Sequence, residues 1–229
     1  MQALFIGQTY IDVTFITDHM PTGDEKHVAS AYAVSFGGNA VTAAFCCAKL
    51  GIVPDLIATV ANDWLGRMFQ DMSAKYGISI HPRKVNSSSL SFIMPKDGKR
   101  AIVRCRDDDH IHPFPLLNLA GCRVGGITMG EKGLLWYDEA GAVRTLPALL
   151  IAPERVLDTN GAGDVFHGAY IYSYLANPGK GWKEHFEFAR AASTYKIQRL
   201  GNEAGLPALA DIEAVKQEFQ IGRKKEFWD

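Results

Sequence analysis

The chain has 229 residues, 24 Lys+Arg against 25 Asp+Glu, a formal net charge of −1, 47% hydrophobic and 21% charged residues. That is apolar material for one large domain or two small ones, and the balanced charge leaves no long-range field to capture a nucleic-acid backbone. No run of about 18 apolar residues exists, and the opening MQALFIGQTY lacks a basic leader before a cleavable apolar stretch, so a soluble cytoplasmic protein is expected. Cys46, Cys47, Cys105 and Cys122 lack CxxC spacing and read as small hydrophobes, with neither disulfides nor structural zinc expected.

In chain order, Ala3 to Gly7 is a short apolar run ending in glycine, which suits the first buried strand of an α/β sheet. Asp12 follows just beyond it. Residues Lys26 to Phe36 alternate loosely and meet Gly37-Gly38. Ala40 to Leu50 is apolar all round, which predicts a buried helix stopped by Gly51. Strand Asp55–Val60 and helix Trp64–Tyr76, stopped by Gly77, repeat the unit. Ser91–Pro95, the turn Lys96-Asp97-Gly98 and Arg100–Cys105 then predict a hairpin, since Asp-Gly supplies the positive φ of a tight turn. Lid strands are expected at about 10–16, 26–35 and 90–105, forming a small sheet over the α/β body.

A third region begins at Val124, with a strand at Ile127–Met129, a meander at Leu134–Tyr137 and Val143–Leu146, and helices at Ala162–Leu175, Lys183–Gln198 and Ala210–Phe219. Before it lies RDDDHIHPFPLLNLAGCR, with two prolines and no helical pattern. Parallel strands need a crossover of roughly a dozen or more residues, usually helical. This linker is short for that task.

The most informative stretch is Asp158-Thr159-Asn160-Gly161-Ala162-Gly163-Asp164-Val165-Phe166. Glycines just before a helix let successive N–H groups point at one spot, where the helix dipole adds positive potential, so an anion is the natural occupant. Asp164 falls in the first helical turn, where a carboxylate also serves as a cap.

The string resembles the second signature of the ribokinase-like, or PfkB-type, carbohydrate kinases, D-T-x-G-A-G-D, with Asn160 in the variable place. Gly37-Gly38-Asn39-Ala40-Val41-Thr42-Ala43-Ala44, running to Ala48-Lys49-Leu50-Gly51, is similar to the first signature. Asp12, Thr128-Met129-Gly130-Glu131-Lys132-Gly133 and Gly201-Asn202-Glu203-Ala204-Gly205 fall in matching order. The resemblance covers residues 1 to 109 and 121 to about 215. It implies one ribokinase-like domain over 1–229: a doubly wound, mostly parallel sheet flanked by helices, with a small β-sheet lid.

The resemblance also implies ATP-dependent phosphorylation of a hydroxymethyl group on a small sugar or sugar derivative. Asp164 would be the general base, with the backbone of Gly161, Ala162, Gly163 and Asp164 as the anion hole. Asp12 would accept sugar hydroxyls, with Gly38, Asn39 and Thr42 beside the substrate. Thr128, Gly130, Gly133 and Asn202 would line the nucleotide. Magnesium accompanies ATP in this reading, and a monovalent cation such as potassium is a further expectation. A homodimer formed through lid sheets is expected, since exposed strand edges need covering.

Three features depart from the pattern. Thr42 stands where many of these kinases carry asparagine, which weakens transfer of a ribose-type specificity. Lys26 and Arg104 lie on or near the expected lid strands, where a cation would meet an anionic sugar, phosphate or sulfonate, or simply face solvent. No Asn-x-x-Glu magnesium motif occurs between Asp109 and Val124, so a segment of the family pattern is expected to be missing between about 110 and 126. The alternatives are a nucleoside kinase of the same family and a non-catalytic sugar- or nucleotide-binding homologue.

Overall fold

Strand β1 (Leu4–Gly7) pairs in parallel with β4 (Asp55–Ala61), which pairs in parallel with β5 (Ser79–Val85). The computed structural model describes residues 3–19, 22–96, 99–105, 124–138 and 141–219. Helix α1 (Asn39–Leu50) runs into β4, and α2 (Trp64–Lys75) links β4 to β5. Residues 41 to 47 of α1 are all buried, because the helix packs on β1 and β4 on one side and on α3 (Ala162–Ala176) on another. That is why its sequence is apolar all round. Phe45 stacks on Phe36 with ring centroids 3.8 Å apart, both fully buried. Asp63 caps α2 by accepting the Gly66 N–H at 2.8 Å.

The second sheet has the order β3-β2-β6-β7, built from β2 (Tyr10–Ile16), β3 (Ala31–Gly37), β6 (Ser89–Lys96) and β7 (Lys99–Cys105). Residues 26–30, expected in a strand, are irregular, and β3 begins only at Ala31. Strand register sorts the side chains by face. Ser35, Asp12, Ser91 and Arg104 form one cross-strand row, and Val34, Val13, Phe92 and Val103 form the next. The polar row turns inward: Ser35, Asp12 and Ser91 are buried. The apolar row leaves Phe92 and Val103 exposed.

The third sheet is an antiparallel meander of β8 (Gly125–Thr128), β9 (Leu134–Tyr137) and β10 (Val143–Leu146). Trp136 of β9 packs on Phe186 of α4 (Trp182–Lys196). Helix α5 (Leu209–Glu218) packs on α4. A parallel sheet flanked by helices, with a separate small sheet, is therefore the architecture. Among the described residues, β1 is paired only with β4, and Leu4 on β1 and Ile127 on β8 are 56% and 64% exposed. The linker at 106–123, with Cys122, and the hairpin turn at Asp97-Gly98 lie outside the described residues.

Cys46 and Cys47 are buried in α1, whereas Cys105 is exposed at the end of β7. Burial pushes both α1 thiols up, Cys47 to about 12, so they stay protonated and pack as hydrophobes. Among the described residues, no helix is long and apolar enough to cross a membrane.

Candidate active site

The site is built on the turn that launches α3. Asp158, buried at 1% exposure, accepts the Asn160 N–H on Oδ1 at 2.8 Å and the Gly201 N–H on Oδ2 at 3.0 Å. One carboxylate thus ties the turn to the loop after α4. Gly161 is left-handed at φ 74, and a Cβ there would collide with the Asn202 Oδ1. Both conformation and space demand glycine. The Gly161 carbonyl takes the Val165 N–H at 2.9 Å, while the N–H groups of Gly163 and Asp164, in the first turn, have no acceptor within the helix. They and the dipole make a positive spot at the exposed Gly163.

Two carboxylates lie beside this turn, near enough for the charge of one to act on the other. Asp12 on β2 is 4% exposed. Its Oδ2 accepts from Asn160 Nδ2 at 3.0 Å and Asn202 Nδ2 at 3.3 Å, and its Oδ1 is buried with no partner. Burial raises its proton affinity, opposed first by the hydrogen bond from Asn160 and further by neighbouring Ser91 and the charge of Arg104. Asp164 in α3 is also raised, first by burial and further by the negative charge of Asp12, with His167 and Arg100 pulling the other way. Each group is therefore a better base than a surface aspartate. His167 Nδ1 lies 2.8 Å from the Gly163 carbonyl oxygen.

Asn202 joins three parts of the site. It is 1% exposed, its backbone N–H donates to Ser35 Oγ at 3.2 Å, and its Nδ2 donates to the Phe36 carbonyl at 2.8 Å as well as to Asp12. Its side chain is thus turned to Asp12 and Phe36 and buried rather than facing an open surface. Thr42 is fully buried beside Gly161, with an unpartnered hydroxyl. Gly38 precedes α1 at φ 103, its carbonyl accepting the Thr42 N–H at 2.8 Å, and Asn39 is exposed at the helix start. Arg104 donates from Nε to Ser91 Oγ at 3.2 Å and lies 4.3 Å over the Tyr10 ring. Lys26 is exposed in the irregular segment before β3. Thr128, Gly130 and Gly133 lie exposed or half-buried where β8 passes into a short 3-10 turn at Gly130–Lys132.

Sequence reasoning missed three contributors. Asn160, in the variable place of the signature, bridges the turn to Asp12. Arg100, on the lid hairpin, donates to Thr159 Oγ1 at 3.4 Å and its charge acts on Asp164. Lys196, the last residue of α4, is 0% exposed and donates from Nζ to the Asp158 carbonyl at 3.1 Å and to Asp158 Oδ2 at 3.2 Å. A lysine beside a tyrosine near a helix end carries no sequence signal of burial.

The donor sets can be compared with the cations the resemblance implied. Asp158 already serves Asn160, Gly201 and Lys196, and Asp12 serves Asn160 and Asn202. Magnesium relies mainly on substrate phosphates and water rather than on an all-protein cage, so it would enter with the nucleotide, and these occupied carboxylates would meet it at most through water. Potassium does not fit behind the turn, because the oxygens of Asp158 there are taken by the Lys196 ammonium.

Residues 120–209 match the pfkB family carbohydrate kinase model. A ribokinase from Lactococcus lactis is 30% identical over 42% of this chain and 30% of its own length. A cytidine kinase from Thermococcus kodakarensis is 34% identical over 38% of this chain and 30% of its own. The chain thus covers less than a third of the length of either curated relative. The solved ribokinase of Cryptococcus neoformans in complex with ADP superposes with a TM-score of 0.72 at 17% identity, covering 95% of this chain and 99% of that one. At that identity the match shows the fold, which is ribokinase-like.

Replacing Asn160 by Ala removes a hydrogen bond that favours ionised Asp12. Such a bond to a charged group is worth about 1.5–3 kcal/mol, so the Asp12 midpoint is expected to rise by about 1–2 pH units. A carbon-detected NMR titration of the side-chain carboxyl reads this directly, and a midpoint that stays or falls contradicts the assigned contact.

Proposed function

We propose that this chain, a ribokinase-like member of the pfkB carbohydrate kinase family, transfers the γ-phosphoryl group of ATP to a hydroxymethyl group of a small sugar or sugar derivative. The observation that carries the reading is a buried carboxylate, Asp12, near enough to the half-buried Asp164 in the first turn of α3 for its charge to raise the proton affinity of Asp164. One carboxylate can hold the acceptor, the other can take its proton, and the amides can receive the anion.

Asp12 Oδ1, still without a partner, accepts substrate hydroxyls, which suits a polyhydroxy compound. Asp164 takes the proton of the attacking hydroxyl, whose oxygen bonds to the γ-phosphorus as the bond from that phosphorus to the bridging oxygen breaks and ADP leaves. The N–H groups of Gly161 to Asp164 meet the charge spreading over the phosphoryl oxygens. Arg100, whose charge acts on Asp164, stands on the lid, so lid contact and base chemistry are joined. Thr128, Gly130 and Gly133 form the nucleotide side, where β8 passes into the exposed turn at Gly130–Lys132. Gly38, Asn39 and Thr42 form the acceptor side, and Lys26 and Arg104 supply positive charge at the lid for an anionic acceptor.

A nucleoside acceptor is the second reading, favoured by the 34% identity to cytidine kinase. A homodimer through the lid is part of the proposal: exposed Tyr32, Phe92 and Val103 on one face of that sheet match what a second copy would cover. Sedimentation equilibrium is expected to give a dimer for the parent and a monomer for Phe92→Glu; a monomeric parent contradicts the assignment.

Coupled ADP release over a panel of sugars, anionic sugars and nucleosides tests the reaction. Asp164→Asn is expected to lower kcat by about 100- to 10,000-fold. Because a base must be deprotonated and Asp164 is raised, the acid limb of the parent's kcat/KM profile is expected to fall at a midpoint above 3.8, the ordinary aspartate value. Sugar binding by calorimetry without any ADP release would instead support a non-catalytic binding protein.

A further inference from the structure

Lys196 is the most deeply buried cation among the described residues, at 0% exposure, and no step of the proposed transfer uses it. Its surroundings are oxygens: the Asp158 carbonyl at 3.1 Å, Asp158 Oδ2 at 3.2 Å and the Arg199 carbonyl at 3.5 Å. One carboxylate charge and two carbonyl dipoles converge on one point, the kind of donor set that hard cations take. Its side chain reaches that point because residue 205 is glycine, since a Cβ there would collide with Lys196 Cδ. Burial holds its proton affinity below that of an ordinary lysine, and the charge of Asp158 opposes this most strongly, with Asp12 and Asp164 adding to it.

The same Asp158 oxygens order the anion-binding turn. Oδ1 holds the Asn160 N–H and Oδ2 holds the Gly201 N–H. A positive charge at Nζ therefore fixes the carboxylate that fixes the turn. We propose that the Lys196 ammonium is a tethered monovalent cation, a positioning group that orders the phosphate-receiving turn and makes the protein indifferent to free potassium. Truncating it should open an oxygen-lined hole of the right charge for a potassium ion. Filling the hole with an apolar chain of similar length should abolish the site altogether.

The experiment compares the parent, Lys196→Ala and Lys196→Met in potassium chloride and in tetramethylammonium chloride at matched ionic strength. Thermal unfolding needs no substrate and is independent of the kinase reading; ATP turnover is the second readout and rests on that reading. The parent is expected to melt and turn over identically in both salts. Lys196→Ala is expected to lose about 10- to 100-fold in kcat/KM in tetramethylammonium, to recover in potassium, and to melt about 2–4 °C higher with the ion bound. Lys196→Met is expected to lose activity without recovery in either salt. A parent that melts or turns over better in potassium overturns the proposal, as does a folded Lys196→Ala that ignores potassium. Where neither variant folds, the parent decides alone: equal behaviour in the two salts supports the tethered cation.

Discussion

The buried pair of Lys196 and Asp158 is the constraint on which the rest of the site depends. Taking both charges out of water is costly, and breaking such a pair by removing one partner typically costs about 3–5 kcal/mol. The pair is kept dry at 0% and 1% exposure of the two side chains. Its consequence is geometric: Asp158 reaches both the turn before α3 and the loop after α4, so two segments about 40 residues apart in sequence are held as one rim. Gly161 then turns left-handed against Asn202, and the helix that follows presents its amides to whatever lies above.

Above the rim sits a lid whose two faces have different chemistry. Period-two alternation along β2, β6 and β7 places Asp12, Ser91 and Arg104 in a row toward the body and Val13, Phe92 and Val103 in a row away from it. The inner row delivers a carboxylate to the turn, where Asn160 and Asn202 hold one of its oxygens and the other is buried without a partner. Asp12 and Asp164 repel one another. Burial, with that repulsion added, keeps Asp164 basic. Burial raises Asp12 as well, and the Asn160 amide limits the rise.

Much of this was legible in the sequence where local chemistry decides. The glycine turn, the all-apolar α1 and the hairpin each carry a short-range signal, Asp164 is the last residue of the glycine-turn string, and Asp12 follows the first strand. What was illegible depends on distant partners. Asn160 occupies a position any residue can fill until Asp12 is brought beside it. Asn202 reads as a nucleotide contact from its place between late helices, but its amide turns to Asp12 and Phe36. Lys196 looks like a solvated helix end, and only the fold buries it. Strand β5 exposes Ser79, His81, Pro82 and Lys84, a pattern without the apolar run by which buried strands are recognised. The segment before β3 alternates without forming a strand until Ala31, since alternation alone cannot say where pairing begins.

The central claim is a single direct transfer, with Asp164 accepting a proton and forming no bond to phosphorus. ATP made chiral at the γ-phosphorus with three oxygen isotopes reads this most directly, through the configuration of the phosphorylated product. One in-line displacement onto the acceptor hydroxyl predicts inversion. Retention would require two displacements through a phosphorylated enzyme group, and would contradict the role given to Asp164.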